Sequence, residues 1–377
     1  MGAKERSQAL RVSAVDSVRQ GAGTTPTVVL AGCHFEAGRG GICRVARLMA
    51  RACIDAGWQV AALDLLDAEP PADLGIPIAL FRGNRIAFAW ACHRAALAGS
   101  FLLYDHLGTA RAHPRLPGLK RPHAVWIHGI EVWEGARADR LAVARRADLL
   151  LCNTEHTKRR ALDLFGEPFD RAQVCWLATE EYEPPSEPAR FDGPPTVLIL
   201  GRVDEGRYKG HRELIECWPR VLSVVPDAWL LAVGGGTGLD AVSTEAARST
   251  VAGKIEVLGF VPEEHIEPIW RRAHALAMPS RGEGFGLVYI EAMRRGLPVI
   301  ASVHDAAPEV NLDGVTGYNV NLDKPDELPD RIIRLLRDPN HAAAMGRAGQ
   351  ARWAEHFRYS AFRRRFQKVI DPLLQAP

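Results

Sequence analysis

Residues 196–233, TVLILGRVDEGRYKGHRELIECWPRVLSVVPDAWLLAV, decide the class of fold. An apolar run at 196–200 ends in Gly201 and a charged loop. Apolar residues then recur at helical spacing through 212–225, and a second apolar run fills 229–233. Neither run alternates polar with apolar residues, as expected of strands covered on both faces. Strand, crossover helix and strand make the unit of a parallel sheet.

The same alternation extends in both directions. Strands are expected at 27–31, 59–63, 101–104, 123–127, 148–152 and 174–177, and again at 255–258, 275–278 and 298–301. Helices are expected at 42–56, 155–165 and 263–273, and the chain reads as helical after Pro325, including 359–374. One stretch breaks the rhythm: EPPSEPARFDGPP, residues 183–195, has five prolines and suits neither a helix nor a central strand. The expected organisation is an N-terminal arm at 1–25, a Rossmann-like domain at 26–182, a linker at 183–195, a second Rossmann-like domain at 196–356, and a final helical segment at 357–377.

Composition narrows the function. With 377 residues the chain is long enough for two domains, and 47% hydrophobic content with 24% charge excludes disordered and collagen-like chains. A net charge of +2 gives no footing for nucleic acid, so no nucleic-acid partner is expected. The seven cysteines form no Cys-x-x-Cys pair, so they read as free thiols in a reducing compartment. The first 25 residues lack the apolar core of a secretory signal. The apolar region 86–104 is broken by His93, Arg94 and Gly99-Ser100, so a buried helix and strand suit it better than a membrane span. The expected location is the cytoplasm, at most peripheral to the inner face of a membrane. Arg44, Arg47 and Arg51 share one face of the first helix and read as a solvated stripe.

Ligands of open parallel sheets bind beyond the carboxyl ends of the strands, where strand order reverses. If the second sheet has the order 3-2-1-4-5, the loops after its first and fourth strands flank one crevice. Those loops carry Arg202 and Lys209, in GRVDEGRYKGH, and Glu283, in SRGEGFGLVYIEAM (280–293). Two cations near helix starts suit a diphosphate. The amides of Phe285, Gly286 and Leu287 open a helix where an anion or sugar oxygen is well placed. Glu291, further along that helix, is a two-oxygen acceptor for vicinal hydroxyls. A capping Glu283 and a solvated Glu291 are the plain alternatives; the flanking glycines favour a site. Arg207 reads as a bystander. In the first half, Arg39-Gly40-Gly41 opens a helix with room for phosphate. His128 ends a strand in WIHGIE, where simple satisfaction by its neighbours is the usual role, and Asp105-His106 is similarly ambiguous. Neither GCHFEAGRGG nor GGGTGL fits the dinucleotide-binding spacing, which disfavours a dehydrogenase.

From Leu200-Gly201-Arg202 through Lys209-Gly210, LGFVPEE, GEGFGLVYIEAM, GLPVIAS, Pro308-Glu309 and Gly314-Val315-Thr316-Gly317, the chain resembles the retaining nucleotide-sugar glycosyltransferases of family four. RGGICRVARLMARACIDAGWQV, WIHGIE and ADLLLCNTEHTKRR resemble the same family more loosely. The resemblance implies an α/β fold of GT-B architecture, two Rossmann-like doubly wound parallel-sheet domains facing across a cleft. It implies that Arg202 and Lys209 hold the donor diphosphate and Glu291 the ribose. Glu283 and the amides of Phe285–Leu287 would meet the donor sugar. Val261 would lie near the nucleobase, His128 beside the transferred sugar, and Gly41 near the diphosphate. CWLATEEY, at the end of the first domain, departs from the family's Asn-Gly segment.

The implied reaction is α-glycosyl transfer with retention, from a UDP- or GDP-sugar donor to a saccharide, lipid-linked or small-molecule acceptor. A nucleoside diphosphate already leaves readily, and the cations neutralise its growing charge. Neither a metal nor another cofactor is expected, since no Asp-x-Asp cluster is placed to hold one. A sugar-nucleotide epimerase and a non-catalytic sugar-nucleotide-binding protein are the rival readings. Donor turnover without an acceptor distinguishes the first, and binding without product the second.

Overall fold

A computed structural model describes residues 27–115, 121–133, 137–179, 186–187, 189, 191–206 and 209–374. The arm at 1–25, Arg207 and parts of 175–182 and of the proline-rich linker lie outside the described residues. The chain divides into two compact units, Met1–Glu180 with Tyr359–Pro377, and Glu181–Arg358.

The first unit is built on seven parallel strands: β1 (Thr27–Gly32), β2 (Gln59–Asp64), β3 (Ile78–Leu80), β4 (Phe101–Tyr104), β5 (His123–Ile127), β6 (Leu149–Cys152) and β7 (Gln173–Val174). Their order is β3-β2-β1-β4-β5-β6-β7, so strand order reverses between β1 and β4. The strands β4, β5 and β6 are buried along their whole length, which accounts for their unbroken apolar sequences.

The helix Gly41–Asp55 carries its apolar side to the sheet and buries Val45, Met49 and Cys53. Arg47 is the exception to the expected solvated stripe. It is buried, donates to the Phe35 carbonyl at 3.0 Å and pairs with Asp73, whose carboxyl that hydrogen bond holds below its usual range. The basic face is therefore interrupted at its centre.

The last helix, Tyr359–Leu374, belongs to this unit. Its Phe362 and Phe366 rings lie 6.1 and 6.4 Å from the ring of buried Trp126 on β5. Tyr359 donates its hydroxyl to Asp55 at 2.8 Å, and Arg365 donates to the Trp176 carbonyl at 2.9 Å. Burial of these aromatic rings supplies the attachment, and the two polar bonds fix its register.

The second unit has six parallel strands: β8 (Thr196–Leu200), β9 (Trp229–Val233), β10 (Ile255–Gly259), β11 (Ala275–Ala277), β12 (Val299–Ser302) and β13 (Gly317–Val320). The order β10-β9-β8-β11-β12-β13 extends the expected 3-2-1-4-5 by one strand. The helix expected at 263–273 is instead a 3-10 turn, Glu263–His265, and a helix, Glu267–Arg272, with Pro268 in the first helical turn. Proline lacks the N–H that a continuous helix needs and is tolerated only at such a start. A π-helical turn, Trp353–Phe357, ends the unit and sets Phe357 edge-on to Phe285 at 5.8 Å.

Phe366 is wholly buried. Phe366→Ala should cost the first unit about 3–5 kcal/mol through lost burial and a cavity. Hydrogen exchange read by peptide should show β4–β6 exchanging faster in the variant, with β8–β13 unchanged.

Candidate active site

The reversal between β8 and β11 in the second unit places the loops after those strands side by side. Two glycines let the loop after β8 pack closely on its neighbours, Gly234 on the β9 side and Gly210 on the β11 side. Gly234 leaves β9 at φ +145°, where an added Cβ would sit 1.8 Å from the Gly201 carbonyl oxygen. Gly210 precedes the helix His211–Val224 at φ +94°, where an added Cβ would meet the Pro279 carbonyl oxygen at 2.7 Å. No side chain fits at either position without moving backbone.

This packing brings Lys209, just before Gly210, onto Glu283 in the loop after β11. The ammonium and the carboxylate form an ion pair with side chains only 14% and 17% exposed. Two loops 74 residues apart thus meet through their charged ends. Arg202 starts from the same loop after β8, but its guanidinium is 74% exposed and pairs with Asp204 at 2.7 Å.

The Glu283 turn is held from behind. Its N–H donates to Asp305 at 3.0 Å, while the Ala306 N–H donates to the Glu283 carbonyl at 3.1 Å. The other Asp305 oxygen accepts from the Ala307 N–H at 2.9 Å. Burial pushes the Asp305 carboxyl up to about 7, against the hydrogen bonds that favour its ionised form. Sequence reading missed Asp305; its position three residues before Pro308-Glu309, in HDAAPEV, was the available signal.

Gly286, at φ +85°, opens the helix Leu287–Arg294. No side chain caps this start and no acidic residue stands in its first turn, which suits an incoming anion. Phe285 turns its ring into the core, so only its backbone serves the loop. Glu291 is half-buried on the same helix, its carbonyl accepting from Arg295 at 3.0 Å. Val261 is half-buried in the loop after edge strand β10, beside Phe260, which is 73% exposed next to Gly235.

In the first unit, Gly41 is exposed at the first position of its helix, after Gly40 at φ +98°. This start also lacks a side-chain cap and a first-turn acid. His128 follows β5. Its N–H donates to Glu131 at 2.7 Å, and its ring Nε2 meets the Asp105 carbonyl at 2.7 Å. A carbonyl only accepts, so Nε2 carries a proton and, in the neutral ring, Nδ1 is the acceptor.

Residues 183–352 match the family described as glycosyl transferases group 1. A GDP-mannose-dependent alpha-(1-6)-phosphatidylinositol monomannoside mannosyltransferase of Mycolicibacterium smegmatis is 33% identical over 246 residues, which are 60% of this chain and 64% of that protein. A phosphatidyl-myo-inositol mannosyltransferase of Mycobacterium tuberculosis is 38% identical over 159 residues, 40% of this chain and 41% of that one. The match therefore spans less than two thirds of either relative. Among solved structures, a sucrose-phosphate synthase from Thermosynechococcus elongatus aligns with TM-score 0.75 at 20% identity, over 93% of this chain and all of that one. The Anabaena protein HepE, in complex with UDP and glucose, aligns with TM-score 0.71 at 16% identity, over 92% of this chain and all of that one. Residues 183–352 therefore carry the sequence match to the group 1 glycosyl transferases, and the two parallel-sheet units share the GT-B fold of the solved structures.

Proposed function

We propose that this protein moves a sugar from a nucleoside-diphosphate sugar to a saccharide, lipid-linked or small-molecule acceptor, with retention and an α-linkage. The observation that carries the reading is the Lys209–Glu283 pair, which joins the loops after β8 and β11 where strand order reverses. The names of the mannosyltransferase relatives favour GDP-mannose as the first donor to try, and an inositol-bearing lipid as the first acceptor. No helix among the described residues is long and apolar enough to cross a membrane. A lipid acceptor would accordingly be reached by peripheral contact with the membrane surface.

The chemistry follows from the side chains. Lys209 has three N–H donors, so it can keep Glu283 and still take a β-phosphate oxygen. As the bond from the sugar's anomeric carbon to the phosphate oxygen breaks, charge grows on the phosphate. The fixed ammonium, Arg202 and the helix start at Gly286–Leu287 oppose that charge. The acceptor oxygen bonds to the anomeric carbon on the face the phosphate leaves, and its proton passes to the departing phosphate. Glu283 positions the sugar and forms no covalent intermediate, unlike the paired carboxylates of glycosidases. Glu291 receives the ribose hydroxyls, and Val261 lies by the base. Gly41 and His128 are assigned to the diphosphate and the transferred sugar, the acceptor Nδ1 of His128 suiting a sugar hydroxyl. The positive side chains supply the neutralisation that a divalent ion gives elsewhere, so turnover should survive a chelator unchanged.

Three outcomes test these roles in an assay of sugar transfer from GDP-mannose and other nucleotide sugars. Lys209→Ala should lower turnover of bound donor about 10²–10³-fold. Its loss also leaves Glu283 mostly buried and unpaired, which destabilises by about 3–5 kcal/mol. The double variant Lys209→Met with Glu283→Gln should recover much of that stability and none of the turnover. Glu291→Ala should raise the donor KM at least about tenfold, with a smaller effect on kcat.

Asp305 gives a pH dependence. As pH falls through about 7 the buried carboxyl takes a proton, its hold on the Glu283 N–H weakens, and turnover should drop. Asp305→Asn should remove that limb from the pH–rate profile. Because its pKa in the fold lies above the ordinary 3.8, the native protein binds the extra proton between those values. This group therefore makes the fold less stable, not more, as pH rises across that window.

A further inference from the structure

Three side chains in the first unit form a second chemical constellation, at the carboxyl ends of β1 and β4. Cys33 follows β1 and is incompletely buried, with its sulfur 4.0 Å from Nε2 of His106. The other ring nitrogen of His106 lies 2.8 Å from Asp105, which is 1% exposed. Asp105 is itself held in place: the Thr109 hydroxyl donates to it at 2.6 Å and the Cys33 N–H at 2.8 Å. The order is nucleophile, imidazole, orienting carboxylate.

Two glycines make room for it. An added Cβ at Gly108 would sit 2.6 Å from the His106 Nε2, and one at Gly32 would press on the Phe35 ring at 3.0 Å and on Asp105 at 3.1 Å. Gly108 has an ordinary helical backbone, so spacing alone sets its role. Of the other six cysteines five are buried, and only Cys217 is also incompletely buried.

We propose that Cys33 is a thiol-modification site, oriented by His106 and Asp105, that takes a small disulfide. The thiolate of Cys33, its proton lost to water, attacks one disulfide sulfur beside the protonated His106 ring. The disulfide's own S–S bond breaks, a mixed disulfide forms, and the second sulfur departs as a thiolate into solvent. No other oxidant is consumed, and a reducing thiol reverses the step. Burial disfavours charge on His106, but the Asp105 carboxylate and its hydrogen bond outweigh that and put the ring at about 10. The ring, held by Asp105, turns an N–H toward the sulfur and so orients it. His106 and Asp105 are positioning residues here. The proposal does not rest on the sugar-transfer reading.

The test uses the folded full chain and Ellman's reagent, a small aromatic disulfide, with adducts located by peptide mass spectrometry at graded times. Cys33 should react at least about tenfold faster than Cys217. His106→Gln should slow Cys33 about tenfold and leave Cys217 unchanged. Gly108→Ala, whose methyl would displace the ring while all three side chains remain, should slow Cys33 as well. Equal rates at Cys33 and Cys217, or an unchanged Cys33 rate in both variants, would overturn the proposal. Circular dichroism melting of each variant separates either result from loss of the fold.

Discussion

The second unit depends on one electrostatic contact, the mostly buried pair of Lys209 and Glu283. Two opposite charges removed from water cost several kcal/mol each unless they meet in good geometry. The fold secures that geometry by topology. Strands β8 and β11 are neighbours in the sheet though far apart in sequence, so the loops after them leave the same edge together. Gly210 then lets their backbones close to a distance that no side chain permits.

The pair brings an ammonium to a helix start whose amides carry partial positive charge. A single charge in such a place would attract any anion. A lysine held by a carboxylate discriminates better, because it is oriented before the ligand arrives and need not reorganise as charge develops. Asp305 extends the same logic one layer back. Its carboxylate fixes the backbone of Glu283, and burial puts its protonation near neutrality.

Much of this was legible in the residues. Continuous apolar runs such as TVLIL and WLLAV mark strands covered on both faces, and the structure places β8 and β9 at the expected positions. The glycines and charges collected after the first and fourth strands pointed to the edge where Lys209 and Glu283 meet. What escaped was short or depended on distant partners. β3 has three residues, too few for a periodic signal. β13 is GYNV, with a buried asparagine; the side chain of Asn311 pins it by donating to the Val299 and Tyr318 carbonyls and to Asn319. The burial of Arg47 follows from Phe35 and Asp73, which no helical wheel contains. Asp105 and His106 were ambiguous in sequence because their partner, Cys33, lies 72 and 73 residues away.

The central claim is that Lys209, held by Glu283, receives the β-phosphate of a nucleoside diphosphate. A crystal structure of the protein with bound GDP tests it most directly. The account predicts a β-phosphate oxygen within hydrogen-bonding distance of Lys209 Nζ, beside the helix start at Gly286. GDP bound with its phosphates remote from that ammonium would contradict it.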